Sequence, residues 1–297
     1  MEFRYIPRLD RTLSVGFVHP LSRLLRYDSS PRIPILMYHG ISDSKGTKHP
    51  YFETNTSPRL FAEQMKFLRQ NGYTATDLVG ALASLEAGHQ GRKQVVITFD
   101  DAYQDFYTSA FPVLMEYGFC ATLFAVTGWT CTERISGAGT TYMTWNEIRE
   151  VHAHGIRIGS HTVTHPELRR LSAEQICIEL GNSKQVMEDN LGAPIRSFSY
   201  PYAFPEQDDK FVHFMKQTLL GCGYENGVST ILGTVTPQHD RFFLPRLPVN
   251  CYDDLRFFQA KLEGGYDWLH APQRLYKRFL KRSNAASKVL NASAYSH

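Results

Sequence analysis

Short apolar runs alternate with helix-like segments along most of this chain, and that alternation limits its fold more than any other feature. IPILMYH (33–39), VVITF (95–99), ATLFAV (121–126), IRIGS (156–160), SFSY (197–200) and a run around 242–249 read as buried strands. Between them lie segments with helical start and stop signals. Ser57 and Pro58 open a helix over 58–70 that Gly72 ends, with Phe61, Met65 and Leu68 on one face. A second short helix is predicted over 77–87, and another over 104–117 with Pro112 as a local blemish. Trp145 to His154 is predicted helical up to Gly155, and 208–220 is a further helix. Ser172 and Gln175 have the spacing of a capping box ahead of a helix to about Leu191. Strands and helices in strict alternation imply parallel βαβ units. About seven of them predict a closed or nearly closed barrel, and in such barrels chemistry gathers at the C-terminal ends of the strands.

Residues 1–31 read as an irregular N-terminal arm, 32–255 as the barrel and 256–297 as a helical basic tail. Within the tail, QRLYKRFLKR carries five basic residues around Leu275, Tyr276, Phe279 and Leu280. It reads as a solvated terminal helix docked by its apolar stripe, with peripheral contact to an anionic membrane as the other reading. A net charge of +3 is too small to point to nucleic acid. Cys120, Cys131, Cys177, Cys222 and Cys251 are odd in number and form no CxxC pair. They predict reduced, mostly buried thiols rather than a disulfide framework. The apolar run from Leu13 to Val18 is short, is broken by His19 and Pro20, and makes a poor signal peptide. No stretch has the length of a membrane span, so the expected location is cytoplasmic.

Polar clusters follow the predicted strands. VVITF ends in Asp100 and Asp101, adjacent like charges that either cap the next helix or await a cation. IRIGS ends in SHTVTH, where His161 and His165 are four apart and fall on one side of a helix or tight turn. SFSY leads into Pro201 and Tyr202, whose N–H is placed to stabilise an oxyanion. LMYHG ends in His39, and MTW (143–145) sets Trp145 at the start of a helix, where core packing is the simpler reading. Taken singly each cluster is weak. Together, two histidines and one aspartate make a three-ligand set with room for water and substrate, and the second aspartate stands beside them as a base. A divalent cation would also keep both carboxylates ionised.

With these residues in view, the chain resembles the polysaccharide deacetylase family, the NodB-homology carbohydrate esterases. TFDD resembles that family's first motif, HTVTH its H[ST]xxH motif and SYPY its RxPY motif, while MTW resembles its Trp-bearing segment. The likeness runs from about 33 to 250. IPILMYHGIS and SPRLFAEQMKFLRQNGY resemble the branch that includes poly-N-acetylglucosamine deacetylases. The resemblance implies a distorted, incompletely closed (β/α)7 barrel. It implies that Asp101, His161 and His165 hold one divalent metal, zinc first, with cobalt, nickel or manganese as alternatives. It makes Asp100 the base, with Pro201, Tyr202 and Trp145 at the substrate and oxyanion. The branch resembled carries its general acid on the early YH motif, which implies His39.

Three departures stand out. Ser199 occupies the place of the motif arginine that orients the base, and Arg246 in LPRLPV is the candidate substitute. Ala203 stands where glycine is common. The late LxxH motif is missing, because RLPVN (246–250) has no histidine and His239, the nearest, precedes the predicted strand. The implied activity is metal-dependent removal of the N-acetyl group from an N-acetylhexosamine polysaccharide, oligosaccharide or glycan precursor, with an acetylated glycan as partner. The alternatives are an O-acetyl sugar esterase, hydrolysis of another amide such as a cyclic ureide, and a catalytically weakened carbohydrate-binding homologue.

Overall fold

A computed structural model describes residues 8–25, 31–43, 49–88, 93–130 and 141–275. Seven strands build its centre: β1 (Ile35–Tyr38), β2 (Lys93–Phe99), β3 (Thr122–Ala125), β4 (Arg157–Ser160), β5 (Ser197–Ser199), β6 (Asn226–Leu232) and β7 (Leu244–Pro248). Each pairs in parallel with the next, and β1 pairs with both β2 and β7, so the strands form a ring. The ring is uneven. β4 and β5 share one register pair, Ser160 with Phe198, and the β6–β7 register shifts between Leu244 and Arg246. This is a distorted parallel barrel of the (β/α)7 kind. Tyr73–Ala75 adds a short strand to β2 outside the ring.

The strands are apolar throughout because both faces are covered. Val95 to Phe99 of β2 are all buried. Outside the ring stand α1 (Pro58–Gln70), α2 (Leu78–Glu86), α3 (Phe111–Tyr117), α4 (Trp145–Ala153), α5 (Ala173–Leu191), α6 (Asp209–Gly221) and α7 (Leu255–Leu262). Phe61, Met65 and Leu68 of α1 are buried together, as their spacing predicts. Leu78, Ala81 and Leu85 of α2 join Ile35, Val96, Phe124, Val228 and Leu244 in a smaller core. These are ring positions that α2 covers from below, so it forms the floor of the barrel and leaves the C-terminal strand ends open. Ser57 caps α1, and the capping box of Ser172 and Gln175 starts α5. A second box, Thr144 with Glu147, starts α4.

Residues 104–117 are helical, but not uniformly α. Phe106–Ala110 form a π turn that ends two residues before Pro112. The wider turn makes room for a ring that carries no N–H to donate. The same device recurs near the N-terminus, where Ser14–Val18 form a π turn two residues before Pro20.

Several expectations are corrected. Leu9–Leu13, Ser14–Val18 and His19–Leu25 are contiguous helical segments, so the described part of the N-terminal arm is not irregular. β6 is a strand the apolar pattern does not announce. Its sequence, NGVSTIL, opens with two poor strand formers and carries Ser229, which bonds to the Leu244 carbonyl at 3.1 Å. The segment from 256 begins in α7, whose Phe257, Phe258, Ala260 and Leu262 are buried in the body. The basic stretch from Tyr276 lies outside the described residues, as does Cys131. The other four cysteines are free thiols, but none is buried: Cys177 and Cys251 are exposed, Cys120 and Cys222 half-buried. No helix among the described residues is long and apolar enough to cross a membrane.

Candidate active site

The polar residues that follow β1, β2, β4 and β5 meet at the open end of the ring. Asp101, His161 and His165 each present one potential ligand atom, and the three atoms lie within 4.8 Å of one another. Asp101 Oδ1 is 3.6 Å from His161 Nε2 and 3.6 Å from His165 Nε2. His161 Nδ1 lies 2.8 Å from the Ser199 carbonyl. A carbonyl can only accept, so Nδ1 carries the proton and Nε2 turns its lone pair to the cluster. Burial and the neighbouring His161 push the His165 pKa down, which favours a neutral imidazole there too. Asp101 Oδ1 is buried and accepts no hydrogen bond. A buried carboxylate oxygen facing two lone pairs is costly unless a cation sits among them. The donor set therefore fits a divalent metal.

The backbone here is held in unusual conformations. Among the described residues, five non-glycines have positive φ: Asp101, Ala102, Thr162, His165 and Tyr202. All belong to loops that follow β2, β4 and β5. Each such residue costs about 1–3 kcal/mol, so the surroundings must enforce it. The histidine loop is braced by Glu179 of α5, whose carboxylate accepts from the Val163 and Thr164 N–H groups at 2.8 and 3.0 Å. Gly128 lets a second loop lie against it. Its N–H donates to the Val163 carbonyl at 2.8 Å, and a Cβ at Gly128 would meet that oxygen at 2.5 Å.

Asp100 has a different environment. Arg246 from β7 is fully buried and grips it with two hydrogen bonds of 2.8 Å, Nη1 to Oδ1 and Nη2 to Oδ2. Ser199 Oγ donates to Asp100 Oδ1 at 3.2 Å and accepts from Arg246 Nη2 at 3.1 Å. Arg246 Nε in turn donates to the Ser229 carbonyl at 2.9 Å. Burial alone would raise the Asp100 pKa, but the Arg246 guanidinium outweighs it and holds the carboxyl well below its ordinary range. The arginine absent from position 199 is thus met from another strand, and the small Ser199 side chain joins the same network.

His39 Nε2 is 4.0 Å from Asp100 Oδ2, and burial pushes its pKa down. Pro201 is buried and Tyr202 exposed. The Tyr202 carbonyl accepts from Thr230 Oγ1 at 3.2 Å, while no acceptor among the described residues takes its N–H. His239 lies elsewhere, beside Leu85 and Lys216 at the floor. Trp145 needs correction as a substrate contact: it is 7 % exposed and packed in the main core. The indole beside the cluster is Trp129, 5.0 Å from the His165 ring. Tyr142 lies 4.8 Å from Trp129 and Tyr103 5.4 Å from Tyr142, while Tyr202 lies 4.7 Å from His165 on another side. No local signal marks Trp129, Tyr103 or Tyr142, because folding alone brings their loops together.

Comparison with known proteins agrees with this geometry. The polysaccharide deacetylase profile matches residues 87–220. YxkH of Bacillus subtilis (strain 168), a provisionally named polysaccharide deacetylase, is 31 % identical over 230 residues, covering 77 % of this chain and 75 % of its own. The chain belongs to the polysaccharide deacetylase family. It is a hydrolase of the carbohydrate esterase type, related to poly-N-acetylglucosamine deacetylases. The poly-beta-1,6-N-acetyl-D-glucosamine N-deacetylase of Escherichia coli (strain K12) is 29 % identical over 141 residues, 43 % of this chain but only 20 % of that larger protein. Among solved structures, the Streptococcus pyogenes deacetylase PplD, determined with acetate, superposes with a TM-score of 0.67 at 25 % identity, over 79 % of this chain and 99 % of its own.

Proposed function

We propose that this member of the family removes the N-acetyl group from N-acetylhexosamine units of a glycan. The observation that carries the reading is the meeting of Asp101, His161 and His165 beside an Asp100 locked by Arg246. Asp101, His161 and His165 would hold one divalent ion, zinc first by the nitrogen-rich donor set. Such an ion, when bound, supplies Lewis acidity and lowers the pKa of water to about 7.

The chain's own groups supply the rest. Asp100 stays ionised and fixed in direction, and takes the proton of the attacking water. Its depressed pKa makes it a weak base in bulk solution, so it serves only a water already made acidic. The Tyr202 N–H is free to donate to the oxygen that becomes negative when the acetyl carbonyl is attacked. His39, neutral at rest with Nε2 4.0 Å from Asp100 Oδ2, takes up the proton that Asp100 removes from the water and passes it to the departing amine. Trp129, Tyr142, Tyr103 and Tyr202 offer ring faces for sugar. The reading of a weakened binding protein draws its force from the arginine absent at position 199 and from the shifted acid, and the Arg246 contact weakens the first of these.

The test is acetate release from N-acetylglucosamine oligomers and from acetylated xylan, with and without chelator. The proposal expects chelator-sensitive release from the amide substrates. Release from the ester alone would make the chain an O-acetyl esterase. Chelator-resistant turnover would remove the metal.

A further inference from the structure

The N-terminal helical stretch is built inside out. Its inward face is mostly polar, with Val15 packed against the core. Asp10, Ser14 and His19 are buried against the body, with Arg8 just ahead of them. Arg8 Nη2 pairs with Asp10 Oδ2 at 2.6 Å, Trp268 Nε1 donates to Ser14 Oγ at 3.0 Å, and His19 Nε2 lies 2.8 Å from Glu263 Oε2. The outward face is apolar. Leu9, Leu13, Phe17, Leu21 and Leu24 are all exposed, Phe17 by 65 % and Leu24 by 79 %. Between them the exposed positions are Thr12, Gly16, Pro20 and Arg23. A helix on a globular body normally does the reverse.

The stripe is also straight. A four-residue step overshoots one α-helical turn by about 40°. Three such steps, from Leu9 to Leu21, would wind the side chains around the helix. The π turn at Ser14–Val18 takes up the excess and keeps all five in the open.

Charge says what covers them. Arg11 and Arg23 border the stripe, Arg11 paired with Asp254 and Arg23 Nε 3.9 Å from Glu263 Oε2, and the helix itself has no exposed acidic residue. The Trp268–Ser14 bond fixes the last described segment beside this helix. From there the sequence 273–297 contains Arg274, Lys277, Arg278, Lys281, Arg282 and Lys288 and no Asp or Glu. A second copy of the chain would bring these like charges together, whereas lipid phosphates neutralise them. We propose that the Leu9–Leu25 stretch is a monotopic docking surface for an anionic lipid bilayer: the five apolar side chains enter the acyl boundary and the basic side chains at the border of the stripe face the headgroups. This assignment does not depend on the catalytic reading.

Sedimentation of the full chain with vesicles tests it. The chain should co-sediment with phosphatidylcholine vesicles containing phosphatidylglycerol, less with phosphatidylcholine alone, and less at high salt. The Phe17→Ser, Leu21→Ser double variant should lower the bound-to-free ratio by about tenfold or more while keeping its melting temperature, since both side chains are exposed. Leu24→Ser should lower it less. A parent protein left in the supernatant with the mixed vesicles overturns the proposal, and so does a double variant that binds as the parent does. A dimer seen by light scattering that the double variant dissociates, with vesicle binding unchanged, would make a second copy the occupant and also overturn it.

Discussion

Two buried charge clusters flank the end of β7, and they solve opposite problems with similar parts. One is the candidate site, with Asp100, Asp101 and Arg246. The other joins the N-terminal helix to α7: Lys261 Nζ meets Asp253 Oδ2 at 2.5 Å, Arg8 Nη2 lies 3.7 Å from Asp253 Oδ1, and Tyr266 donates to Asp10 Oδ2 at 3.0 Å. In each cluster a buried aspartate oxygen lacks a hydrogen bond, Asp101 Oδ1 in one and Asp253 Oδ1 in the other. The neighbours tell them apart. A guanidinium faces Asp253, so that cluster carries its own cations. Imidazoles face Asp101, so that cluster asks for one. Backbone strain separates them too, since every positive-φ non-glycine described lies in the site loops. A buried acid is thus no mark of function by itself; an acid facing neutral ligands in a strained loop is.

Substitutions should break the two clusters differently. Asp101→Ala has the largest expected effect: metal content measured by mass spectrometry drops to background and acetate release goes with it. Asp100→Asn should keep the metal and lower turnover by about 10²–10⁴-fold. Arg246→Met should lower turnover by about 10–100-fold and also cost about 3–5 kcal/mol of stability, because it strands a buried carboxylate. This deficit should depend on pH. In the parent, Asp100 has a depressed pKa, so its stabilisation is complete above about pH 4 and fades only below that. In the variant the unpaired acid takes up a proton more readily. The urea midpoint gap between metal-free parent and variant should therefore be widest near pH 7 and shrink as pH falls toward 5. Lys261→Met should cost a similar stability, yet leave activity per folded molecule unchanged. His39→Ala should slow amide cleavage more than ester cleavage, by about tenfold, since an amine is the poorer leaving group.

Much of the ring and of the donor set was legible in the sequence, for local reasons. Parallel strands buried on both faces read as continuous apolar runs, and capping boxes are short-range signals. Asp100–Asp101 and HTVTH sit directly after their strands, so their positions at the open end follow from strand direction. The rest depended on distant partners. β6 was hidden because Asn226 and Gly227 open it and Ser229 finds its acceptor on β7. Trp145 and Trp129 look alike in sequence, and only the packing sends one to the core and the other to His165. The Leu9–Leu25 helix was hidden because its pattern is inverted, and a periodicity argument expects the apolar face to be the buried one.

The grip of Arg246 on Asp100 spans 146 residues of chain. During synthesis both aspartates and both histidines emerge well before the last strand. Until β7 docks, Asp100 is an acid without its counter-charge, with a proton affinity unsuited to its task. The catalytic centre is therefore the last thing the barrel acquires, and a nascent chain stopped short of β7 would carry the donor residues without a working base.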